Sequence, residues 1–120
     1  MGLTLAGAVD ERIYRGTDRV IQVQIRDDFT GDTYDMTGHS LYLTMAMSPL
    51  DDVPVLTKDG ELVVAAIGAC RFVFTPEDTE GMIAYSYYTT IFVEDDSTEE
   101  IWPVYEGKIA VVPAVQREVT

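Results

Sequence analysis

The chain is 120 residues long, enough for one domain, and carries 21 acidic against 8 basic side chains for a formal net charge of −13. That balance repels a phosphate backbone or an anionic membrane over most of the surface, which sets nucleic-acid and membrane partners aside and leaves a basic partner or a cation open. A hydrophobic fraction of 47% excludes wholesale disorder, and a domain of this size buries roughly two-thirds of the surface its unfolded chain exposes without needing disulfides.

In chain order, residues 1–10 are mildly apolar and, up to Val9, carry no charged side chain. They are too short for a secretory leader, and Ala6 stands where the myristoylation pattern requires Ser or Thr. The stretch reads as an arm that packs either on its own domain or on a neighbouring subunit, with Leu3, Leu5 and Val9 as the candidates for contact with a neighbour. A short strand is expected over Glu11–Tyr14. In Val20–Arg26, Ile21, Val23 and Ile25 alternate with Gln22, Gln24 and Arg26, the pattern of a half-buried strand. Turn residues follow at Asp27–Asp32 and at Thr37-Gly38. Leu41, Leu43, Met45 and Met47 then repeat the alternation, with Tyr42, Thr44 and Ala46 on the opposite face.

Lys58-Asp59-Gly60 reads as a hairpin turn, because Asp-Gly supplies the positive φ such turns need. Strands are expected over Leu62–Ala66 and Ala69–Thr75. Thr75-Pro76 opens one helical turn, with Thr75 as cap and Pro76 at the first helical position. A long alternating series runs from Ile83 to Val93, and its eleven residues predict a bend or bulge near the middle. Two further strands, Ile101–Tyr105 and Lys108–Pro113, precede a tail over 114–120. About eight short strands and at most one helical turn make an all-β domain over 11–113, a sandwich or barrel.

Constellations that carry chemistry are sparse. Cys70 is the only cysteine and shares a strand face with Phe72 and Phe74, so it reads as a small buried hydrophobe. His39 is the only histidine, which excludes zinc spacing. Phosphate-binding glycine loops are absent, and no pair of carboxylates is singled out for acid–base work. Asp27, Asp28, Asp32 and Asp35 crowd one turn and are weak candidates for a Ca²⁺ site, but their spacing does not match the calcium loop and solvated turn carboxylates are the default. No metal, cofactor or catalytic residue is assigned. The aromatics are more informative. Tyr85 and Tyr87 share the parity of Ile91 and Val93, whereas Tyr88 and Phe92 take the opposite face. Tyr88 and Phe92, with Trp102 on the probable hairpin partner, are the candidates for an outer face that serves a protein interface, is covered by the domain's own loops, or stacks on sugar rings.

The order of several short motifs resembles a known family. These are Arg15-Gly16-Thr17-Asp18, Asp27-Asp28 with Gly31, Tyr34-Asp35-Met36-Thr37-Gly38, Gly68–Phe74, Asp78-Thr79-Glu80-Gly81, Tyr85-Ser86-Tyr87 and Glu106-Gly107-Lys108-Ile109-Ala110-Val111-Val112. Together they resemble the immunoglobulin-like β-sandwich of tailed-bacteriophage structural proteins, of the type found at the N-terminus of the baseplate upper protein. Gly81 stands four residues ahead of Tyr85 where the family spacing places two. The register of the long strand, and with it the assignment of Tyr85 to the tyrosine corner of such folds, is therefore open. The resemblance implies an immunoglobulin-like antiparallel sandwich and a non-enzymatic virion component in the tail or baseplate, or at the head as an adaptor or decoration subunit. It would be made in the host bacterial cytoplasm and dock onto other virion proteins in a homo- or hetero-oligomeric assembly. The competing expectation is a carbohydrate-binding or adhesin-like module, which requires Tyr88, Phe92 and Trp102 to line one groove.

Overall fold

The computed structural model describes residues 3–6 and 12–113. Val9, Glu11 and the tail over 114–120 lie outside the described residues. Among the described residues, nine strands form two sheets packed face to face. The first sheet has the order β1-β3-β7-β6, built from β1 (Leu3–Ala6), β3 (Arg19–Asp27), β6 (Glu61–Val64) and β7 (Ala69–Phe74). The second has the order β2-β9-β8-β4-β5, built from β2 (Arg12–Tyr14), β4 (His39–Ala46), β5 (Leu56–Asp59), β8 (Tyr85–Asp95) and β9 (Ile101–Val112). Neighbours are antiparallel throughout except β2, which runs parallel to β9.

The expected alternation places the core. Ile21, Val23 and Ile25 of β3 and Cys70, Phe72 and Phe74 of β7 face Leu41, Leu43 and Met45 of β4 and Tyr87, Ile91 and Val93 of β8, all buried. Pro76–Glu80 forms the single short α-helix among the described residues, α1, at the expected place, with Thr75 as its cap residue and Pro76 leading it. The Asp78 carboxylate reaches back to accept the Thr75 amide hydrogen at 2.7 Å, one half of a capping box.

Several local expectations are corrected. Lys58-Asp59-Gly60 is not a hairpin turn. β5 pairs with β4 up to Asp59, and Glu61 already pairs with Arg71 of the other sheet, so the chain crosses between sheets at Gly60. Gly60 is required there for space. An ideal Cβ would sit 2.6 Å from Leu41 Cγ and 3.0 Å from Phe72 Cε1, while the Gly60 amide donates to the Leu41 carbonyl at 2.8 Å. Because the crossing uses a strand on each side, β5 is present where no strand was expected. The strand expected over Leu62–Ala66 ends at Val64, and Ala65–Ile67 winds into a 3-10 turn.

The two strands expected at the end are one continuous β9. The bulge anticipated in the long strand lies instead in its partner: Ile91 opposes Tyr105 and Phe92 opposes Pro103, leaving Val104 as the extra residue of β9. Gly107 does not break β9, because the Tyr105 ring lies over it and covers the missing side chain. At the other end of β8 the alternation overruns the core. Ile83 and Tyr85 are exposed, and Tyr87 makes the corner contact, its hydroxyl donating to the Ile83 carbonyl four residues back at 2.8 Å.

The described part of the arm, which the sequence leaves open to pack on its own domain or on a neighbour, packs on its own domain. Leu3–Ala6 is an edge strand of the domain, paired antiparallel with β3 from Leu3↔Asp27 to Ala6↔Gln24. Leu3 is buried in the core and Leu5, partly buried, packs against it, so both interface candidates are turned toward their own domain. Short apolar segments gain more by closing their own sheet than by staying exposed.

Candidate functional site

Strands β4, β8 and β9 present one face to the core and the other outward. Register puts Tyr42 opposite Phe92, Thr44 opposite Thr90 and Ala46 opposite Tyr88 across the β4–β8 pair, and Tyr88 opposite Lys108 across β8–β9. The side chains of Tyr42 and Phe92 stack with ring centroids 5.2 Å apart and planes 25° from parallel. The Lys108 ammonium lies over the Tyr88 ring, 4.7 Å from its centroid, a cation–π contact. All four residues except the exposed Lys108 are partly buried. Tyr88 and Phe92 thus occupy the outer face predicted for them, and the structure brings Tyr42 to the same floor.

The β4–β5 connection walls this floor on one side. Its turn is fixed by the Ser48 amide donating to Asp51 Oδ2 and the Asp51 amide donating to the Ser48 carbonyl, both at 3.1 Å. Pro49, Asp51, Asp52 and Pro54 of this connection meet Tyr42, Tyr88 and Phe92 around an open groove of about 350 Å³. A second hollow of about 400 Å³ continues from Pro49 and Tyr88 to Glu106, Gly107 and Lys108. An aromatic floor rimmed by Asp51, Asp52 and Glu106 suits a cationic side chain of a partner, since the rings attract a cation and the carboxylates pair with it. The chain's own Lys108 already takes such a seat on Tyr88.

Trp102 does not belong to this face. It opposes Val93 on the inward side of β9 and packs against the core beside His39, ring centroids 6.3 Å apart. The groove of Tyr88, Phe92 and Trp102 that sugar stacking requires is therefore not formed. Around His39, Tyr34 Oη lies 3.1 Å from Nε2, the Thr37 carbonyl oxygen 3.1 Å from Nδ1 and Asp95 Oδ2 3.6 Å from Nε2. Burial, and then the carboxylates of Asp95, Asp27 and Asp35, push the Tyr34 phenol up.

The acidic turns serve their own backbone. Asp27 Oδ1 accepts the Phe29 and Thr30 amides at 2.8 and 3.2 Å, and Asp35 Oδ1 accepts the Thr37 amide at 2.9 Å. The Thr37 hydrogen bonds hold the Asp35 carboxyl below the usual range. Among the described residues no three of His, Cys, Asp or Glu converge in a way that could hold a metal ion, so Asp27, Asp28, Asp32 and Asp35 do not assemble into a site. The Cys70 thiol points at the Gly68 carbonyl, 3.4 Å away, and burial pushes it up to about 11, far from a nucleophile's range. No helix among the described residues is long and apolar enough to cross a membrane.

Tyr42, Asp51, Asp52, Glu106 and Lys108 were not singled out from sequence. The outward parity of Tyr42 was visible, but which strand would lie beside it was not, and the loop and β9 residues show no pattern of their own.

No family model matches the chain, and no curated protein matches it. Among the solved structures similar to it is one described as the Lin-41 filamin domain, at 18% identity over 92% of this chain and 91% of that one, with a TM-score of 0.50. At that identity the likeness shows the fold: this is an immunoglobulin-like β-sandwich.

Proposed function

We propose that this domain is a non-enzymatic structural subunit of a tailed-bacteriophage virion, in the tail or baseplate or as a head adaptor or decoration protein. It docks through the outer face of β4, β8 and β9 onto a basic surface of a neighbouring virion protein. One observation carries the docking face: stacked Tyr42 and Phe92 with Tyr88 form an open aromatic floor rimmed by Asp51, Asp52 and Glu106. Aromatic residues are enriched at interfaces, and a net charge of −13 draws in a basic partner at long range while keeping the free subunit soluble. The virion assignment is supported by the ordered short motifs from Arg15 to Val112 and by the sandwich itself, a fold that hosts many functions. Sugar binding is the weaker alternative, because Trp102 is turned away from Tyr88 and Phe92.

The test is quantitative mass spectrometry of particles purified from cells carrying the gene. The chain is expected at a fixed, symmetry-related copy number per particle. Tyr88→Ala combined with Phe92→Ala is expected to abolish incorporation while leaving the soluble protein folded. Absence of the chain from purified particles sinks the virion assignment. Unchanged incorporation of the double variant sinks the docking face.

A further inference from the structure

The outer face of β4, β8 and β9 carries two hollows, and Tyr88 is shared between them. The first, toward β9, already holds a cation: Lys108 lies on the Tyr88 ring, and Glu106 lines the same hollow. The second, beside the β4–β5 connection, has no lysine or arginine in its lining. The ion pairs of the described residues join Lys58 to Asp78 and Arg71 to Glu61 and bring His39 to Asp95, and neither Asp51 nor Asp52 takes part. Both are exposed, and Asp51 commits only Oδ2, to the Ser48 amide. Between Tyr88 and the stacked Tyr42–Phe92 pair the floor drops to two shorter side chains, Thr44 and Thr90, opposite one another in register. At the tip of the connection Leu50 and Val53 flank the two aspartates with 89 and 79% of their surface exposed.

We propose that this second hollow is an arginine-specific anchor, in which a partner protein inserts one guanidinium between Tyr88 and the Tyr42–Phe92 pair, its N–H groups held by Asp51 and Asp52. The proposal rests on the docking face assigned above and names the side chain that face takes. A groove of about 350 Å³ lies at the small end of ligand pockets, ~300–1,000 Å³, so it takes a side chain rather than a strand or a helix. A guanidinium is planar and weakly hydrated, stacks on aromatic faces and carries its donors in a rigid fork. That fork reaches adjacent carboxylates and a threonine hydroxyl at once, whereas a lysine ammonium is a point charge that gives up more hydration on entering. Leu50 and Val53 are covered by the partner's backbone around the arginine, which excludes water from the ion pair. The net charge of −13 adds attraction at long range. Lys108 works in the opposite direction: its ammonium draws on the same Tyr88 ring from the neighbouring hollow and repels a second cation. Lys108 thus lowers the affinity of the anchor.

Amide-resolved NMR titration of the full chain with capped Gly-Arg-Gly and Gly-Lys-Gly peptides tests this. One anchored side chain gives a dissociation constant on the order of 1–10 mM. The arginine peptide is expected to shift the amides of Thr44, Asp51, Asp52 and Tyr88 saturably, and to bind at least about fivefold more tightly than the lysine peptide. Raising NaCl from about 50 to about 300 mM is expected to weaken it. Asp52→Asn is expected to reduce arginine binding at least about threefold, and Lys108→Gln to increase it about twofold. Both positions are exposed, and the same spectra report whether each variant is folded. The proposal is overturned by shifts that do not saturate or that lie on other strands, by equal binding of the two peptides, or by an Asp52→Asn protein that binds as wild type does. Failure of the anchor is distinguishable from failure of the docking face. Arginine binding together with unchanged incorporation of the Tyr88→Ala, Phe92→Ala protein sinks the docking face alone; lost incorporation without arginine binding sinks the anchor alone.

Discussion

Replacing Gly60 by alanine tests the crossing between sheets, on which the placement of both edge strands depends. The added methyl would sit 2.6 Å from Leu41 Cγ and Cδ2 and 3.0 Å from Phe72 Cε1, against a comfortable carbon–carbon separation of about 3.5–4.0 Å. Leu41 and Phe72 are both buried, so neither has open space to move into. Overpacking of this kind costs about 1–3 kcal/mol, offset by the ~0.4–1 kcal/mol that alanine contributes by stiffening the unfolded chain. The net expectation is a loss of about 1–2 kcal/mol, read as a lower urea midpoint at unchanged m-value and a melting temperature roughly 4–10 °C lower. Leu41→Val shortens the crowded side chain and is expected to be sub-additive with Gly60→Ala by at least ~0.5 kcal/mol. Gly81→Ala is the control, since its φ is −89° and nothing lies within 4 Å of an added Cβ; it is expected to be neutral or slightly stabilising. A hairpin turn at Gly60 predicts the reverse order of substitutions, with asparagine tolerated better than alanine because asparagine accepts positive φ. The crossing predicts asparagine to be worse, being larger. A Gly60→Ala protein as stable as wild type, or full additivity with Leu41→Val, would falsify the steric account.

Three further outcomes follow from single contacts. Tyr87→Phe removes the 2.8 Å hydrogen bond to the Ile83 carbonyl and is expected to cost about 1 kcal/mol in urea unfolding, whereas Tyr85→Phe on the exposed start of β8 is expected to change nothing; equal effects would remove Tyr87 from the corner role. Burial pushes the Asp78 carboxyl up, but its hydrogen bonds to Lys58 and Thr75 and the Lys58 charge outweigh that and hold it below the usual range. A group depressed in the folded state stabilises fully above its unfolded value of about 3.9 and loses that contribution as pH falls through the folded value, so stability measured from pH 6 to pH 3 is expected to fall less steeply in Asp78→Asn. An unchanged slope in the variant refutes the assignment. Finally, the buried, raised Cys70 thiol is expected to react with a disulfide reagent at pH 8 at least about a hundredfold more slowly in the native protein than in urea; rapid native labelling contradicts its burial.

Periodicity carried much of the fold. Ile21-Val23-Ile25, Leu41-Leu43-Met45 and Cys70-Phe72-Phe74 were legible as core faces because a pleated strand points alternate side chains to opposite sides, whatever its neighbours. The helical turn at Pro76 was legible because capping is decided within four residues. The outward placement of Tyr88 and Phe92 followed from the same parity. What parity does not contain is the identity of the adjacent strand. Tyr42 and Phe92 are fifty residues apart in sequence, and only the β4–β8 pairing stacks them.

The same limit explains the misreadings. Asp59-Gly60 has the local chemistry of a hairpin, and nothing in those residues tells that Glu61 will pair with Arg71 in the other sheet rather than with β5. Trp102 shares a strand with outward residues, yet the extra Val104 shifts the register of β9, and Trp102 lies opposite Val93 on the inward side. Leu3 and Leu5 show too short a pattern to declare a strand, and became one because the β3 edge offered them a ladder. Composition and alternation by themselves determined an acidic all-β domain and the inward side chains of β3, β4 and β7. Strand neighbours, and therefore the aromatic groove and the crossing between sheets at Gly60, were decided by the tertiary structure, because long-range pairing is a property of two segments at once and neither encodes it alone.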